Sequence, residues 1–148
     1  MTDIQYQIML VTPQIEIAQI ISHRLELFGW DTQIVVSEAE MRLSLKKSLP
    51  HLFIVDLDWQ DLNAITLIEF LTSDQLTSQL PVMAMSAHGD LTLAEQAFHA
   101  GAKQFLVIPF DPMSLKERVS ELLYTIDLDL LGGNIGPAVN VADATTLA

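Results

Sequence analysis

The chain of 148 residues carries 19 acidic and 7 basic side chains, a formal net charge of −12, and half of its residues are apolar. That length suits one domain with a real core, and the composition is globular rather than disordered. The shortage of Lys and Arg argues against DNA, RNA or an anionic membrane surface as a partner, because each is bound by neutralising phosphates. With no cysteine there is no disulfide, thiol nucleophile or cysteine metal site. The N-terminus lacks a basic segment followed by an apolar run, and no stretch approaches the roughly 20 apolar residues that span a bilayer. A soluble cytoplasmic protein is the expectation.

In chain order, Tyr6 to Val11 reads as a first strand that Thr12-Pro13 ends. Thr12 suits a helix N-cap and Pro13 a first helical turn. Ile17, Ile20, Ile21, Leu25 and Phe28 follow at helical spacing, and Gly29 suits the position that closes the helix. Thr32 to Val36 is a short β-branched strand. Ser37-Glu38-Ala39-Glu40 is a capping box opening a second helix, with Met41, Leu45 and Leu49 along it and Pro50 as its stop. Leu52 to Val55 is an unbroken apolar run ending on Asp56, the pattern of a parallel strand buried on both faces. After a loop, Ile65, Ile68 and Leu71 mark a third helix, and 72–79 is polar. Pro81 to Met85 is a fourth strand ending on Ser86. Ala87-His88-Gly89-Asp90 turns into a fourth helix with Ala94, Ala97 and Phe98 on its inner side, closed by Gly101. Gln104 to Ile108 is a fifth strand, and Asp111-Pro112 is an N-cap followed by Pro at the first helical position. The last helix carries Leu115, Val119, Leu122 and Ile126. Residues 127–148 hold several glycines and acids but no base, and read as an acidic tail or linker stub. Leu128, Leu130 and Leu131 leave open an extension of the last helix into a docking segment.

Strands alternating with helices through short loops imply right-handed crossovers and a doubly wound α/β fold with a parallel sheet. In such sheets ligands bind beyond the C-terminal strand ends, which is where Asp56 falls. Three motifs then carry a resemblance: Pro50 through Asp56, Pro81-Val82 through Ser86-Ala87-His88-Gly89-Asp90, and Ala100-Gly101-Ala102 followed by Pro109-Phe110-Asp111-Pro112. From about Tyr6 to Ile126 the chain resembles the receiver domain of bacterial response regulators. The resemblance implies a CheY-like, flavodoxin-like (βα)5 fold with strand order 2-1-3-4-5, and a receiver domain over residues 1–126.

The same resemblance assigns roles at the strand ends. Asp56 stands at the phosphoacceptor position and Ser86 at the hydroxyl position that senses the phosphoryl group. Thr12 and Pro13 stand where the family has an acidic pair for Mg²⁺, and Ile108 where it has a lysine. Gln60 and Ala64 replace the usual Pro and Gly after the phosphoacceptor, and Phe105 takes the aromatic switch position without a tyrosine hydroxyl. Mg²⁺ requires oxygen ligands, which Pro13 lacks, so Mg²⁺ binding is expected to be weak or absent. Phosphoryl transfer relies on positioning and charge stabilisation, with each major electrostatic contribution worth roughly 3 kcal/mol. Ordinary receiver phosphorylation is therefore expected to be slow or absent, and the site reads as a pseudo-receiver pocket with Asp56 beside Ser86 and backbone donors.

Several residues have two readings. Asp56 is either a structural carboxylate held by loop N–H groups or a phosphoacceptor still in use. Asp58 and Asp61 are either exposed loop acids, the reading favoured, or parts of a rebuilt cation site. Trp59 either covers the pocket mouth or faces a partner. Ile108 fills the space of the missing lysine, or with Trp59 and Phe110 lines a pocket for a small apolar ligand. Lys103 precedes the fifth strand and is expected to face solvent, and the four histidines show no metal-ligand spacing. No nucleophile–base pair, Gly-rich phosphate loop or metal constellation points to an enzyme.

The expected function is that of an atypical receiver in two-component signalling. It recognises a protein partner, such as a histidine kinase or another regulator, largely without Mg²⁺-dependent phosphorylation. The expected contact surface is the face of the fourth helix, fifth strand and fifth helix, with a homodimer as one form of it. The alternatives are a phosphorelay receiver phosphorylated on Asp56 by a partner histidine kinase and, more weakly, a small apolar ligand sensor.

Overall fold

A computed structural model of the chain describes residues 5–132. The elements are β1 (Gln7–Val11), α1 (Ile15–Leu27), β2 (Asp31–Val35), α2 (Glu38–Lys47), β3 (Leu52–Asp56), α3 (Ala64–Ser73), β4 (Val82–Ser86), α4 (Leu91–Ala100), β5 (Gln104–Val107) and α5 (Pro112–Gly132). All neighbouring strands are parallel, in the order β2-β1-β3-β4-β5. This is the expected (βα)5 fold.

Strand alternation sorts the core onto two faces. Met9, Val11, Phe53, Val55, Val82 and Ala84 point to the side covered by α2, α3 and α4, where they meet Met41, Leu67, Ile68, Leu71 and Ala97. Ile8, Leu10, Leu52, Ile54, Met83 and Met85 point to the side covered by α1 and α5, where they meet Ile21, Leu25, Leu115 and Val119. Every residue of β3 and β4 is buried, which explains their apolar runs. Burial of each large side chain contributes about 1.5–3 kcal/mol. The register pairs Asp56 with Met85, so Ser86 follows directly beside the end of β3.

Local signals set most helix ends. Ser37 accepts a hydrogen bond from the Glu40 N–H at 3.1 Å, while the Glu40 carboxylate reaches back to the Val36 N–H at 2.8 Å. The return bond of the box thus lands one residue before the cap. Asn63, Asp90 and Asp111 accept from the N–H groups of Ile65, Thr92 and Ser114. Gly29 (φ +101°) and Gly101 (φ +116°) close α1 and α4 in the left-handed region.

Some expectations fail. Thr12 does not cap α1: Gln14 is the N-cap residue and makes no side-chain cap bond. Phe98 is 48% exposed, and Ala97 and Ala100 face inward instead. Their small side chains let α4 lie close against α3. Leu67, passed over in the sequence pattern, is buried. Ile108 lies just past β5, and α5 runs through the expected domain edge at 126/127 to Gly132. The rest of the expected tail, 133–148, lies outside the described residues.

The turn after α4 is tight. A Cβ on Gly101 would lie 2.7 Å from Thr72 Cγ2 and 2.8 Å from both Thr72 Cβ and Oγ1. Thr72 Oγ1 donates to the Ala100 carbonyl at 2.7 Å, so its side chain is not free to swing aside. Gly101→Ala combines this clash with positive-φ strain and is expected to cost about 2 kcal/mol, read as a lower urea midpoint at unchanged slope.

Candidate functional site

β1, β3 and β4 end side by side, and each delivers a polar side chain to the same edge. Asp56, Thr12 and Ser86 are all fully buried. A buried carboxylate must be satisfied or become neutral. Asp56 Oδ2 accepts from the Thr12 hydroxyl at 2.6 Å and from the Gln14 side-chain amide at 2.9 Å. Its Oδ1 accepts from the Asp58 N–H at 2.8 Å. Burial pushes the Asp56 carboxyl above its usual value; the bonds from Thr12, Asp58 N–H and Gln14 pull it part of the way back, and the neighbouring Asp58 charge raises it further. Thr12 Oγ1 also accepts from the Gln14 N–H at 3.1 Å. The hydroxyl thus turns back the chain after β1 and grips Asp56 at once.

Ser86 does not face Asp56 as expected. Its hydroxyl donates to Asp58 Oδ1 at 2.8 Å and accepts from the His88 N–H at 2.9 Å. Asp58 Oδ2 accepts from the Ala87 N–H at 2.7 Å, and His88 Nδ1 stands 3.3 Å from Asp58 Oδ1. Asp58 is therefore no exposed loop acid: its side chain is only 16% exposed. Its partial burial acts to raise the carboxyl, but the Ala87 N–H, Ser86 hydroxyl and His88 together outweigh this and hold it below its usual value. Asp61 is exposed as expected.

A cleft of about 790 Å³ opens over these groups, lined by Pro13, Gln14, Asp58, Trp59, Asp61 and His88 among others. Trp59 is among the lining residues, with its indole N–H donating to the Asp56 carbonyl at 2.6 Å. Ile108 and Phe110 pack instead against the α1–α5 side of the core. Trp59 packs against the other core cluster, so the alternative of one apolar pocket shared by Ile108, Trp59 and Phe110 finds no support here. Phe105 packs partly buried against the opposite face, and Lys103 is exposed. His51 accepts from the Gln7 N–H at 3.0 Å and stacks edge-on with Tyr6, and burial lowers its pKa. Among the described residues no group of three or more His, Asp or Glu side chains is placed to hold a metal ion.

Sequence reasoning missed Gln14 and the joint role of Ala87 and His88. Thr12-Pro13-Gln14 held one usable signal: two hydrogen-bonding side chains directly after a buried strand that neighbours the Asp56 strand.

The sequence matches the response regulator receiver domain family over residues 8–120. It is 28% identical over 121 residues to the DNA-binding dual master transcriptional regulator RpaA of Synechocystis sp., covering 82% of this chain and 50% of that protein. It is 25% identical over 117 residues to the phosphate regulon transcriptional regulatory protein PhoB of Rhizobium meliloti, covering 79% and 52%. A CheY-like response regulator receiver domain protein of Methanospirillum hungatei superposes with a TM-score of 0.76 at 19% identity, over 85% of this chain and 99% of that one. A response regulator from Thermotoga maritima gives 0.74 at 22%, over 82% and 99%. These two structures share the fold. The chain spans about half the length of the curated relatives it matches. The exclusion of nucleic acid is not supported by these relatives, since RpaA is DNA-binding by name. Among the described residues no helix is long and apolar enough to cross a membrane. From the strand order, the position of Asp56 at the end of β3 and the match over residues 8–120, the chain belongs to the response regulator receiver domain family.

Proposed function

We propose that this receiver domain works by protein–protein recognition, largely without Mg²⁺-dependent phosphorylation of Asp56. The observation that carries this reading is the way Asp56 is satisfied: three donors, Thr12, Gln14 and the Asp58 N–H, occupy its two oxygens. A hard cation needs several oxygen ligands around one point. Here Thr12 brings a neutral hydroxyl already committed to Asp56, Pro13 brings no side-chain oxygen, and Asp58 is turned to Ser86 and Ala87. The donor set does not fit Mg²⁺. With Ile108 in place of the family's lysine, that position supplies no cation to stabilise charge developing on a transferred phosphoryl group.

The recognition surface in this reading is the face of α4, β5 and α5. It carries the exposed apolar side chains Leu91, Phe98, Val107, Met113 and Tyr124. Its partner is a histidine kinase, another regulator or a second copy of this chain.

Intact-mass spectrometry after incubation with a small-molecule phosphodonor, with and without Mg²⁺, tests the reading. The expected result is no phosphoryl adduct on the wild type under either condition. A Mg²⁺-dependent adduct that disappears in Asp56→Asn would establish the other reading, a working phosphoacceptor. That alternative is favoured by one observation, the retention of Asp56 and Ser86 at adjacent strand ends.

A further inference from the structure

A groove lies at the other end of the sheet from Asp56, between α2 and the chain that leaves α3. Its volume, about 400 Å³, suits a few side chains of one docked segment rather than a broad flat contact. Leu45 of α2, Leu49, Phe70 of α3 and Leu76 supply its apolar lining. Leu49 and Leu76 are 40% and 67% exposed, so this lining is open to solvent. Arg42 and Lys46 stand on its α2 side, one helical turn apart. Arg42 is held in place. Its guanidinium carbon lies 4.0 Å from the centre of the Phe70 ring, and Nε and Nη2 donate to Glu38 Oε2 at 2.9 and 2.7 Å. Lys46 has no ion-pair partner among the described residues. Asp74, the acid of the lining, turns its carboxylate to the Leu76 N–H at 3.1 Å. Like charges one turn apart weaken a helix, so Arg42 and Lys46 are unbalanced as they stand. Three of the chain's 7 basic residues, Arg42, Lys46 and Lys47, fall on α2, while the whole chain carries −12.

We propose that this groove is a docking site for one acidic amphipathic helix of a partner protein. Arg42, Leu45 and Lys46 sit at positions i, i+3 and i+4 of α2, an apolar residue flanked by charge at the spacing by which one helix meets another. A helix laid along α2 places leucine-like side chains among Leu45, Leu49, Phe70 and Leu76, and its carboxylates against Arg42 and Lys46. Charge selects the occupant. A second copy of this chain brings a further −12 and is repelled. A nucleic acid leaves the apolar lining uncovered. A basic rim on an acidic body also fixes the direction of approach, because an acidic helix is repelled elsewhere and accepted here. No residue of the groove belongs to α4, β5 or α5. The site is therefore separate from the recognition face described above and from the state of Asp56.

The test titrates the isotope-labelled full chain by NMR with a capped helical peptide of Glu, Leu and Ala, its leucines on one face and its glutamates beside them. Saturable shifts at Leu45, Lys46, Phe70 and Leu76 are expected, with a Kd on the order of 100 µM. The same peptide with Lys in place of Glu is expected to bind about tenfold more weakly or worse, as is one with Ser in place of Leu. Lys46→Glu is expected to weaken the acidic peptide about tenfold and to make the basic peptide the stronger ligand. Lys103→Glu changes the net charge equally at an exposed position outside the groove. It is expected to leave the acidic peptide's Kd within about twofold. Leu76→Ser, at a largely exposed position, is expected to keep the fold and weaken the acidic peptide about tenfold. Absence of saturable shifts overturns the proposal. So do shifts confined to other surfaces, or a Lys46→Glu effect no larger than that of Lys103→Glu. Sodium octanoate saturating the same residues more tightly than the peptide would assign the groove to a small amphiphile and overturn it too. A dimer in sedimentation that Leu76→Ser dissolves would do the same, by identifying a second copy as the occupant.

Discussion

Restoring the missing charges is expected to turn this domain into a working phosphoacceptor. The triple variant Thr12→Asp/Pro13→Asp/Ile108→Lys places two carboxylates at the end of β1 and an ammonium after β5. The carboxylates and Asp56 then offer a hard cation three anionic side chains, where the wild type presents one carboxylate already engaged by three donors. Mg²⁺ and the lysine each stabilise charge on the transferred group, and each such contribution is worth roughly 3 kcal/mol, or about a hundredfold in rate. Together they are expected to raise the rate of labelling by a small-molecule phosphodonor by about 10³-fold or more, and only with Mg²⁺ present. The substitution at 108 is tolerable because the residue is half-buried and the carbon stem of a lysine can lie along the packing that Ile108 now makes. Mass spectrometry over time reads the result, with Asp56→Asn added to the triple variant as the control. A triple variant that folds, binds Mg²⁺ and still takes no label would show that something other than these charges blocks the chemistry.

The second large effect concerns Asp56 and Thr12 as a pair. Thr12→Val removes the 2.6 Å bond to a buried carboxylate and is expected to cost about 3 kcal/mol near neutral pH. In an Asp56→Asn background the same substitution is expected to cost about 1 kcal/mol, because the remaining partner is neutral. Asp56→Asn alone is expected to stabilise the domain. Its amide can keep the Asp58 N–H as donor, while Gln14 turns its carbonyl inward and the Thr12 hydroxyl rotates to accept. The pH dependence follows from the raised folded pKa of Asp56, whose usual value is 3.8. Below that value both folded and unfolded chains carry the proton, and Asp56 costs nothing. As pH rises, the unfolded chain ionises first while the folded chain keeps its proton, so stability is lost until the folded carboxyl has ionised too. Asp56→Asn does not titrate there. The Tm difference between variant and wild type is expected to be near zero below pH 3.8, to open as pH rises, and to level off at roughly 3 °C, the shift of about 1 kcal/mol in a domain of this size. A Tm difference that closes toward neutral pH would contradict the burial-driven shift.

The sequence carried the architecture because its information is local. The unbroken apolar runs of β3 and β4, the Ser37 capping box and the glycines after α1 and α4 each act within a few residues. Asp56 was legible for the same reason, as a charge terminating a buried strand. Its partners were less so. Thr12 read as a cap because a hydroxyl before a proline and a helix usually is one, whereas the pull of a buried carboxylate from a neighbouring strand is invisible along the chain. Asp58 read as a solvated loop acid because its donors Ser86 and Ala87 lie 28 and 29 residues away and meet it only through β3–β4 pairing. Phe98 was placed inward because a large apolar residue on a helix usually packs, but the close approach of α4 to α3 selects the alanines instead. The 126/127 edge was set by composition, which does not stop a helix in the absence of proline or a cap.

The fixing of α4 at its two ends has a mechanical consequence. At its C-terminal end the helix is pinned: Thr72 holds the Ala100 carbonyl, and Gly101 has no room for even a methyl group. At its N-terminal end it hangs from the turn that Asp58 grips at Ser86 and Ala87. A ten-residue helix is a lever about 15 Å long, with its pivot at Gly101. Any shift of the turn therefore swings Leu91 through nearly the full travel, while Phe98, close to the pivot, stays almost still. A partner contacting Leu91 would therefore feel a displacement of that turn more strongly than one contacting Phe98.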